Sequence, residues 1–548
     1  MLDPTRDTVR RSRQPLPEGE LDVAIVGAGP GGLMTGALLA RAGLRVALFD
    51  HHYVAGGCMT MFERGRTESR YCFDVGLHYV GDCAPGGELP RLLGNVGVDI
   101  EWRPMDPDGF DTLVFPDLRF AVPVGHEAFR ARLLETFPSE RRGIDRYLRL
   151  LLEVDRISRR MDKTPKAGFG LLKDVLLHGR LLAQYQHATM GEFLDSVTKN
   201  PALRAVILGQ SGDYGLPPSK VSAMLHCGLV NHYLHGAYYP VGGGQLPADG
   251  LAEVIEAHGG SIHLRRSVSE ILIQDGRAVG LRLAAQGKEP AVDIPAKVVV
   301  SNADIKRTLL ELLPRESLPS EWQSRAEGFE MAGAIFMTFL GVEGDLADLG
   351  MANTNYWCFD SYDMEGFYRD AMVDGQIRPR GCYITSASMK DRDTPGHAPA
   401  GKMVLEIMTL VPGKPGDWGT TDADAVAGRY RRVAQYREQK AQVETEMIDR
   451  VEAVLPGVRE RIVFQESATP LSQMRYTRAS DGTGYGLAAT PEQFLNRRPG
   501  YRGPHRNLYF CGASTRAGHG IVGALKSGES AAKRIAADLG MSLAPAAR

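Results

Sequence analysis

A short glycine-rich segment near the start of the chain has the residue types and the spacing of a phosphate-binding turn. Residues 27–32, GAGPGG, match the pattern G-x-G-x-x-G, and an aspartate follows at position 50. Glycines let backbone N–H groups approach a pyrophosphate without a Cβ in the way, and a carboxylate accepts hydrogen bonds from ribose hydroxyls. The segment therefore predicts a dinucleotide site made by Gly27, Gly29, Pro30, Gly31, Gly32 and Asp50.

Such a site needs a strand, a turn and a helix in immediate succession, and the sequence has all three. Residues 21–26 are mostly apolar and predict a buried strand, residues 33–44 carry an apolar stripe at helical spacing, and residues 45–49 predict a second strand. The helix N-terminus would face the phosphates. Gly56 and Gly57, followed by Cys58, come too soon after the second strand to be a mere linker and predict a loop beside the nucleotide.

Composition bounds the class of protein. A chain of 548 residues predicts two to four structural units, and 24% charged with 43% hydrophobic residues is typical of a globular protein. The net charge of −2 gives no electrostatic reason to expect nucleic acid, and seven scattered cysteines without C-x-x-C predict neither disulfides nor a metal site. We expect reduced thiols and a cytoplasmic protein. No run of 18 apolar residues predicts a membrane span, which leaves peripheral attachment open.

The rest of the chain alternates between helix-rich segments and segments that mix strands and helices. Residues 91–235 predict helices, residues 236–302 return to strands and helices, and residues 305–465 form a mixed region with a long helix over 422–454. In residues 171–182, apolar pairs alternate with basic residues. That pattern fits either a helix lying on a membrane surface or a helix packed in its own domain, and both interpretations stay open.

Several motifs in a fixed order resemble one protein family. They are GAGPGG at 27–32, GGCMTMF at 56–62, FDVGLHYVG at 73–81, YPVGGG at 239–244, VVSNAD at 299–304 and CGASTRAGHGIVG at 511–523. The chain is identified as a member of the FAD-dependent family of phytoene desaturases, carotenoid cis-trans isomerases and retinol saturases. The motifs at 56–62 and 73–81 are more similar to the retinol saturase branch. One departure is Ala517, where the family often has proline.

The resemblance implies an α/β fold in which a discontinuous Rossmann-type FAD-binding domain carries an inserted α+β substrate domain, the two-domain plan of amine oxidases. The changes in predicted secondary structure along the chain place the FAD-binding domain at 21–100, 236–304 and 471–540. The lipid-substrate domain then takes 101–235 and 305–470. Residues 1–20 form a disordered N-terminal lead, and residues 541–548 form a tail.

FAD would be held at both ends. The resemblance implies that the segment with Asp74 and Gly76 contacts the flavin, and it adds a second contact near the C-terminus. There a strand leads into a glycine turn, and a helix N-terminus would present N–H groups and a positive dipole end to the flavin N1/C2 edge. Beyond the first motif, the predicted cofactor-binding residues are Gly57, Cys58, Asp74, Gly76, Gly512, Ala513, Gly520, Ile521 and Val522.

The resemblance implies chemistry on a long apolar isoprenoid or polyene, and three functions follow. The first is saturation or desaturation of a C=C bond by hydride transfer at flavin N5. The second is cis-trans isomerisation by reduced FAD without net redox, and the third is a flavin-containing lipid escort without turnover. Because the sequence has one nucleotide fingerprint, no NAD(P)H domain is expected, and the electron partner would be a quinone, oxygen or another carrier.

His78 and Tyr79 are the candidate catalytic residues. They follow Asp74 and Gly76 in the segment that the resemblance places by the flavin, so either side chain could supply the proton that a saturase needs. Histidine titrates near neutral pH and suits that role. The alternative is that His78 only packs in the core, because it lies in an apolar, strand-like run.

Overall fold

The computed structural model describes residues 15–66, 69–163 and 177–543. Residues 1–14 of the predicted lead, 544–548 of the predicted tail and 171–176 of the amphipathic segment lie outside these ranges. Within them, no helix has both the length and the apolarity needed to cross a membrane.

The strands are β1 Leu21–Val26, β2 Val46–Phe49, β3 Met61–Arg64, β4 Tyr71–Asp74, β5 Val80–Gly81, β6 Trp102–Pro104, β7 Asp111–Val114, β8 Arg119–Val122, β9 Ala237–Pro240, β10 Ser261–His263, β11 Val268–Gln274, β12 Arg277–Leu283, β13 Val292–Ser301, β14 Ala334–Glu343, β15 Asn355–Phe359, β16 Gly381–Thr385, β17 Lys402–Val411, β18 Ile462–Ala468 and β19 Leu508–Phe510.

The α-helices are α1 Pro30–Arg41, α2 Glu88–Gly94, α3 His126–Thr136, α4 Arg141–Lys163, α5 Arg180–Tyr185, α6 Met190–Asp195, α7 Pro201–Ile207, α8 Ala223–Leu234, α9 Leu246–Ala257, α10 Ile305–Arg307, α11 Ser320–Glu327, α12 Met364–Met372, α13 Ala387–Lys390, α14 Asp422–Ala427, α15 Ala434–Val454, α16 Pro470–Thr477 and α17 Gly520–Asp538.

The first large sheet contains the glycine-rich turn. Its strand order is β10-β2-β1-β13-β12-β11, and β19 also pairs with β13. Strands β10, β2, β1, β13 and β19 run parallel, whereas β11 and β12 are antiparallel. Helix α1 packs between α9 and α17. The carboxyl ends of β1, β2, β13 and β19 share one edge, where doubly wound sheets bind ligands.

The second large sheet has the order β18-β14-β17-β16-β15-β7-β8. All its neighbours are antiparallel except β15 and β7, which are parallel. Helices α4 and α8 pack on each other over an apolar core that reaches β7, β8 and β15, and α15 contacts β16 and β17. This mixed architecture agrees with the predicted α/β, two-domain fold class, while the residue boundaries of the two domains stay a prediction.

One helix differs from the expectation. The segment 422–454 was expected to form a single helix, but α14 ends at Ala427 and α15 begins at Ala434. Gly428 lies between them with a φ of +73°, in the left-handed region that glycine adopts most easily. Its backbone ends α14, and a 3₁₀ turn over Arg429–Arg432 follows. The apolar spacing on both sides hid this break.

Candidate active site

A single large cavity runs between the carboxyl edge of the first sheet and the second sheet. Its volume is about 2350 Å³, and its wall includes Gly29 and Asp50 from the first sheet and Tyr383 and Met408 from the second. Residues that are far apart in the chain thus line one continuous space, which is large enough for a dinucleotide and an apolar substrate together.

The glycine-rich turn is packed against a side chain that the sequence did not single out. A Cβ on Gly29 would lie 2.8 Å from Asn302 Nδ2, and one on Gly31 would lie 2.6 Å from Asn302 Oδ1 and 2.7 Å from the Gly512 nitrogen. A Cβ on Gly32 would lie 2.2 Å from the Gly27 carbonyl oxygen. These glycines therefore let β1, α1 and the residue after β13 meet, and the N–H groups at the start of α1 stay available to an anion.

Asp50 holds the turn from the end of β2. Its Oδ2 accepts the Ala28 N–H at 2.7 Å, and its Oδ1 accepts the His52 N–H at 2.7 Å. Each carboxylate oxygen has a further lone pair, so the carboxylate can also accept a ribose hydroxyl from the cavity that it lines.

Two arginines add positive charge at this end of the cavity, and both were missed by the sequence analysis. Arg307 and Arg478 line the cavity, and the pKa of the Arg478 guanidinium is lowered by burial and then by Arg307. Glu311 pairs with Arg307 at 2.9 Å and offsets that charge, so the Arg478 guanidinium is the group that favours an anion here. A dinucleotide pyrophosphate has that charge, so the donors at this end fit the predicted cofactor.

The predicted flavin end is built by the loop after β19 and the start of α17. Gly512 donates its N–H to Ser527 Oγ at 2.7 Å, which ties the loop to α17. The buried Arg498 donates to the carbonyls of Ala513, Gln493 and Leu487 and fixes the other side of the loop. The loop is therefore rigidly held in front of the helix N-terminus.

His78 belongs to a buried charged cluster. Its Nδ1 lies 2.8 Å from Glu406 Oε2, and Glu406 Oε1 accepts the Asp74 N–H at 2.8 Å. Lys390 Nζ donates to the His78 carbonyl and, at 2.6 Å, to Thr385 Oγ1. Burial lowers the pKa of Lys390 to about 8, against the opposing effect of Glu406. The negative and positive charges of this buried cluster therefore offset one another.

One polar atom of this cluster has no protein partner among the described residues. His78 lines the cavity, and its Nε2 is buried without a hydrogen-bond partner in the described residues. Because Nδ1 faces a carboxylate, the Nδ1 proton points at Glu406, and Nε2 is the ring atom available to a ligand. A buried polar atom left in this way is a position where a cofactor or substrate group fits.

Asp74 lies behind the cavity wall and supports it, and its predicted contact with the cofactor stays a prediction. Its Oδ2 accepts the Tyr239 hydroxyl at 2.5 Å and its Oδ1 accepts the Gly244 N–H at 2.9 Å, and it is absent from the cavity lining of the described residues. Asp74, His78 and Glu406 place their ligand atoms within 4.8 Å of one another. These atoms already form hydrogen bonds with protein groups. The expected absence of a metal stays a prediction.

Tyr79 lies in a second polar cluster. Its hydroxyl is 3.1 Å from Asp111 Oδ2 and 2.8 Å from Asp213 Oδ2. Its ring stacks on Tyr233 with centroids 4.2 Å apart. No local sequence pattern indicates that these residues lie together. The one signal for this cluster is Asp111, an acidic residue at the start of a buried strand.

The far part of the cavity is mostly apolar and aromatic. The side chains of Trp357 and Tyr383 meet with centroids 4.4 Å apart. The apolar lining of this part includes Met224, Leu225, Leu229, Ile335, Met337, Phe359, Phe367, Met408 and Phe494. Such a wall suits a long hydrocarbon and excludes water from it.

Most of the predicted site residues meet at this cavity. It is lined by Gly27, Gly29, Pro30, Asp50, Gly57, Cys58, Gly76, His78, Tyr79, Gly512, Ala513, Gly520, Ile521 and Val522. Gly31, Gly32 and Asp74 lie behind the wall. Their individual roles toward a cofactor stay predictions.

Comparisons with known proteins agree with this geometry. The family described as flavin containing amine oxidoreductase matches residues 30–536. All-trans-retinol 13,14-reductase of Danio rerio is 28% identical over 513 residues, 90% of this chain and 82% of that protein. Chloroplastic prolycopene isomerase of Daucus carota is 27% identical over 537 residues, 95% of this chain and 81% of that protein. A solved oxidoreductase from Methanosarcina mazei has a TM-score of 0.60 and 17% identity, covering 93% of this chain and 99% of that chain, a likeness of fold alone.

Proposed function

The chain belongs to the family of flavin-containing amine oxidoreductases, and on that premise we propose that it adds or removes hydrogen across a C=C bond of a long apolar polyene of the retinoid or carotenoid class. The family match confirms two predictions from the sequence: that the chain is an FAD-dependent oxidoreductase and that its cofactor is FAD. The observation that carries the proposal is the continuous cavity, which joins the dinucleotide edge to an apolar, aromatic chamber.

The chain's own residues have three tasks in this reaction. Bound FAD supplies hydride exchange with a carbon of the substrate. The turn at Gly27, the carboxylate of Asp50 and the start of α17 hold the two ends of the cofactor. The wall with Trp357 and Phe359 orients the polyene and keeps water away, so that the hydride is not lost to solvent. A buried acid must supply or accept the accompanying proton.

Saturation is the favoured direction because the all-trans-retinol 13,14-reductase of Homo sapiens is 31% identical over 65% of this chain, against 27% for the prolycopene isomerase of Daucus carota. Isomerisation without net redox is the second candidate, supported by the similarity to prolycopene isomerase over 95% of the chain. The escort function without turnover is a third outcome. The external electron donor or acceptor stays a quinone, oxygen or another carrier.

One anaerobic experiment separates these functions. The purified FAD-loaded protein is reduced with dithionite, the excess reductant is removed, and all-trans-retinol or a carotenoid is added. Saturation predicts flavin reoxidation and a product two hydrogens heavier by mass spectrometry, whereas isomerisation predicts an isomer of unchanged mass and flavin that stays reduced. If the oxidised protein instead removes two hydrogens from a more saturated polyene, the reaction runs as a desaturation. Absence of conversion across retinoids and carotenoids, in both redox states, would reject the enzyme proposal.

We further propose that the cavity opens toward a membrane surface. Val154, Ile157 and Met161 of α4 and Leu182 of α5 line it, and Met161 is 50% exposed. Leu177, just before α5, is 62% exposed, and exposed arginines surround both helices. An apolar substrate must leave a bilayer to reach the cavity, so this mouth is where contact would be useful.

Liposome flotation tests the membrane contact. The double variant Met161→Glu/Leu177→Glu places two charges at the mouth and should lower the bound fraction on vesicles that contain anionic lipid. Val463→Glu is the matched control, since Val463 is 47% exposed on β18, away from these helices in sequence. Equal flotation of both folded variants and the wild type would remove this mouth as the contact.

A further inference from the structure

One phenol hydroxyl lies between two buried carboxyl groups. Tyr79 Oη is within hydrogen-bond distance of both Asp111 Oδ2 and Asp213 Oδ2. A hydroxyl carries one proton and can donate it to one oxygen at a time. Two ionised carboxylates would leave one of these O···O contacts repulsive, so the arrangement requires a proton on one of the two acids.

The surroundings of the two acids decide where that proton resides. Asp111 accepts amide N–H groups from Asn355 at 2.9 Å and from Gln210 at 2.7 Å, and these donors favour its ionised form. The polar neighbours of the Asp213 carboxyl are the hydroxyls of Tyr79 and Tyr233, and no amide donates to it in the described residues. Burial raises the pKa of Asp111 to about 6, and burial together with Asp111 raises the pKa of Asp213 to about 8.

Asp213 is also the acid that reaches the cavity. Asp213 lines the wall beside Tyr79 and Tyr233, whereas Asp111 is fully buried and set back from it. His519, the N-cap residue of α17, lies near the Asp213 backbone. Asp213 therefore sits where the predicted flavin end of the cavity meets its aromatic wall.

We propose that Asp213 is the proton donor of the reaction, with Tyr79 and Asp111 as positioning residues. This inference rests on the proposed function. Reduced FAD, when bound, would supply a hydride to one alkene carbon and would itself be oxidised by two electrons. The π electron pair would move to the neighbouring carbon, which would take the Asp213 proton. The Asp213 carboxylate then accepts the Tyr79 hydroxyl.

His78 is the rival donor. It also lines the cavity, but its Nδ1 is held by Glu406 and its carbonyl by Lys390. The titratable groups facing Asp213 are different ones: Tyr79, Asp111, Tyr233, Tyr368, Tyr383, Tyr485 and His519. The two clusters are joined by hydrogen bonds from Lys390 to Thr385, from Thr385 to Asn355 and from Asn355 to Asp111, so FAD content and melting temperature are compared together with the rate for substitutions of Asp213 and of His78.

The first test reads the protonation of Asp213 without turnover. In the FAD-free protein, the infrared C=O stretching band of a protonated carboxylic acid should be present near neutral pH and disappear above about pH 8. The variant Asp213→Asn, which keeps the shape and a hydrogen bond to Tyr79, should lack that component. A wild-type spectrum without the band at pH 7, or a band unchanged in the variant, overturns the inference.

The second test uses dithionite-reduced, FAD-loaded protein in a single turnover with the polyene that the wild type converts. Asp213→Asn should slow flavin reoxidation about 100-fold to 10,000-fold at unchanged FAD content and melting temperature. The alkaline fall in the wild-type rate should be absent in Asp213→Asn, and in Tyr79→Phe it should move to higher pH because the product carboxylate loses a donor. Asp99→Asn, an exposed acid outside the cavity lining, is the control and should keep the wild-type rate.

The outcomes separate the inference from the proposed function. If the wild type converts no polyene, the proposed function is wrong and the donor role falls with it. If the wild type converts the polyene and Asp213→Asn keeps the rate and the pH profile, the donor assignment alone is wrong. A slow His78→Gln beside a fast Asp213→Asn would then assign the proton to the imidazole.

Discussion

Replacement of Asp50 by alanine should affect the protein before any cofactor binds. The carboxylate accepts two backbone N–H groups at 2.7 Å each, from Ala28 in the glycine-rich turn and from His52. A hydrogen bond to a charged acceptor contributes about 1.5–3 kcal/mol. Since Asp50 itself lines a cavity that water can enter, we take the lower value for each hydrogen bond and expect Asp50→Ala to lose about 3 kcal/mol of stability in the FAD-free protein.

The same variant should bind FAD more weakly. Loss of a ribose hydrogen bond of about 1.5–3 kcal/mol predicts a Kd that rises about 10-fold to 150-fold. Thermal unfolding of the FAD-free protein and a fluorescence titration with FAD measure the two effects separately. Asp50→Asn, which keeps an acceptor oxygen without the charge, should fall between alanine and the wild type in both measurements.

Asp99→Ala is the control, because Asp99 is exposed and should leave both quantities unchanged. If Asp50→Ala lowers the melting temperature but leaves the Kd unchanged, the carboxylate only orders the turn and the predicted ribose contact is wrong. If neither quantity changes, the reasoning from these two hydrogen bonds is refuted as well.

Three further predictions concern the packing, the charged cluster and the pH dependence. Gly31→Ala places a Cβ 2.6 Å from Asn302 Oδ1 and should cost about 1–3 kcal/mol in denaturant unfolding and lower the FAD content; an alanine variant as stable as the wild type would contradict this packing. His78→Leu leaves the buried Glu406 without its imidazole partner and should lower the free energy of unfolding by about 3 kcal/mol. His78→Gln should keep a single-turnover rate within a few-fold of wild type. A loss under 1 kcal/mol for His78→Leu would show that the pair is not needed for stability. The folded-state pKa of Asp213 is raised to about 8, so the folded protein holds a proton that the unfolded chain releases near pH 4. The contribution of this proton to stability is fully present below pH 4 and is lost as the pH rises to about 8. Asp111, with a pKa of about 6, acts the same way over the lower part of that window, so Asp213→Asn should flatten the decline in melting temperature mainly between about pH 6 and pH 8, and parallel curves would contradict the assignment.

The sequence by itself determined the first βαβ unit, and it predicted the residues at the two ends of the dinucleotide site. The glycine spacing, the apolar runs around it and Asp50 are local features, and β1, α1 and β2 lie where they predict. The motif at 511–523 likewise placed the start of α17. Local patterns are readable because the geometry of a turn or a helix N-terminus depends on neighbouring residues.

The tertiary structure decided which distant side chains complete the site. Glu406 reaches His78 across 328 positions of sequence, and Asp213 reaches Tyr79 across 134. Glu406 lies in the apolar middle of β17, where a charged residue indicates a buried partner without indicating which one. The partner is fixed by sheet order and register, which bring β17 beside β14 and β16, and these are set by the packing of the whole core and not by any local pattern.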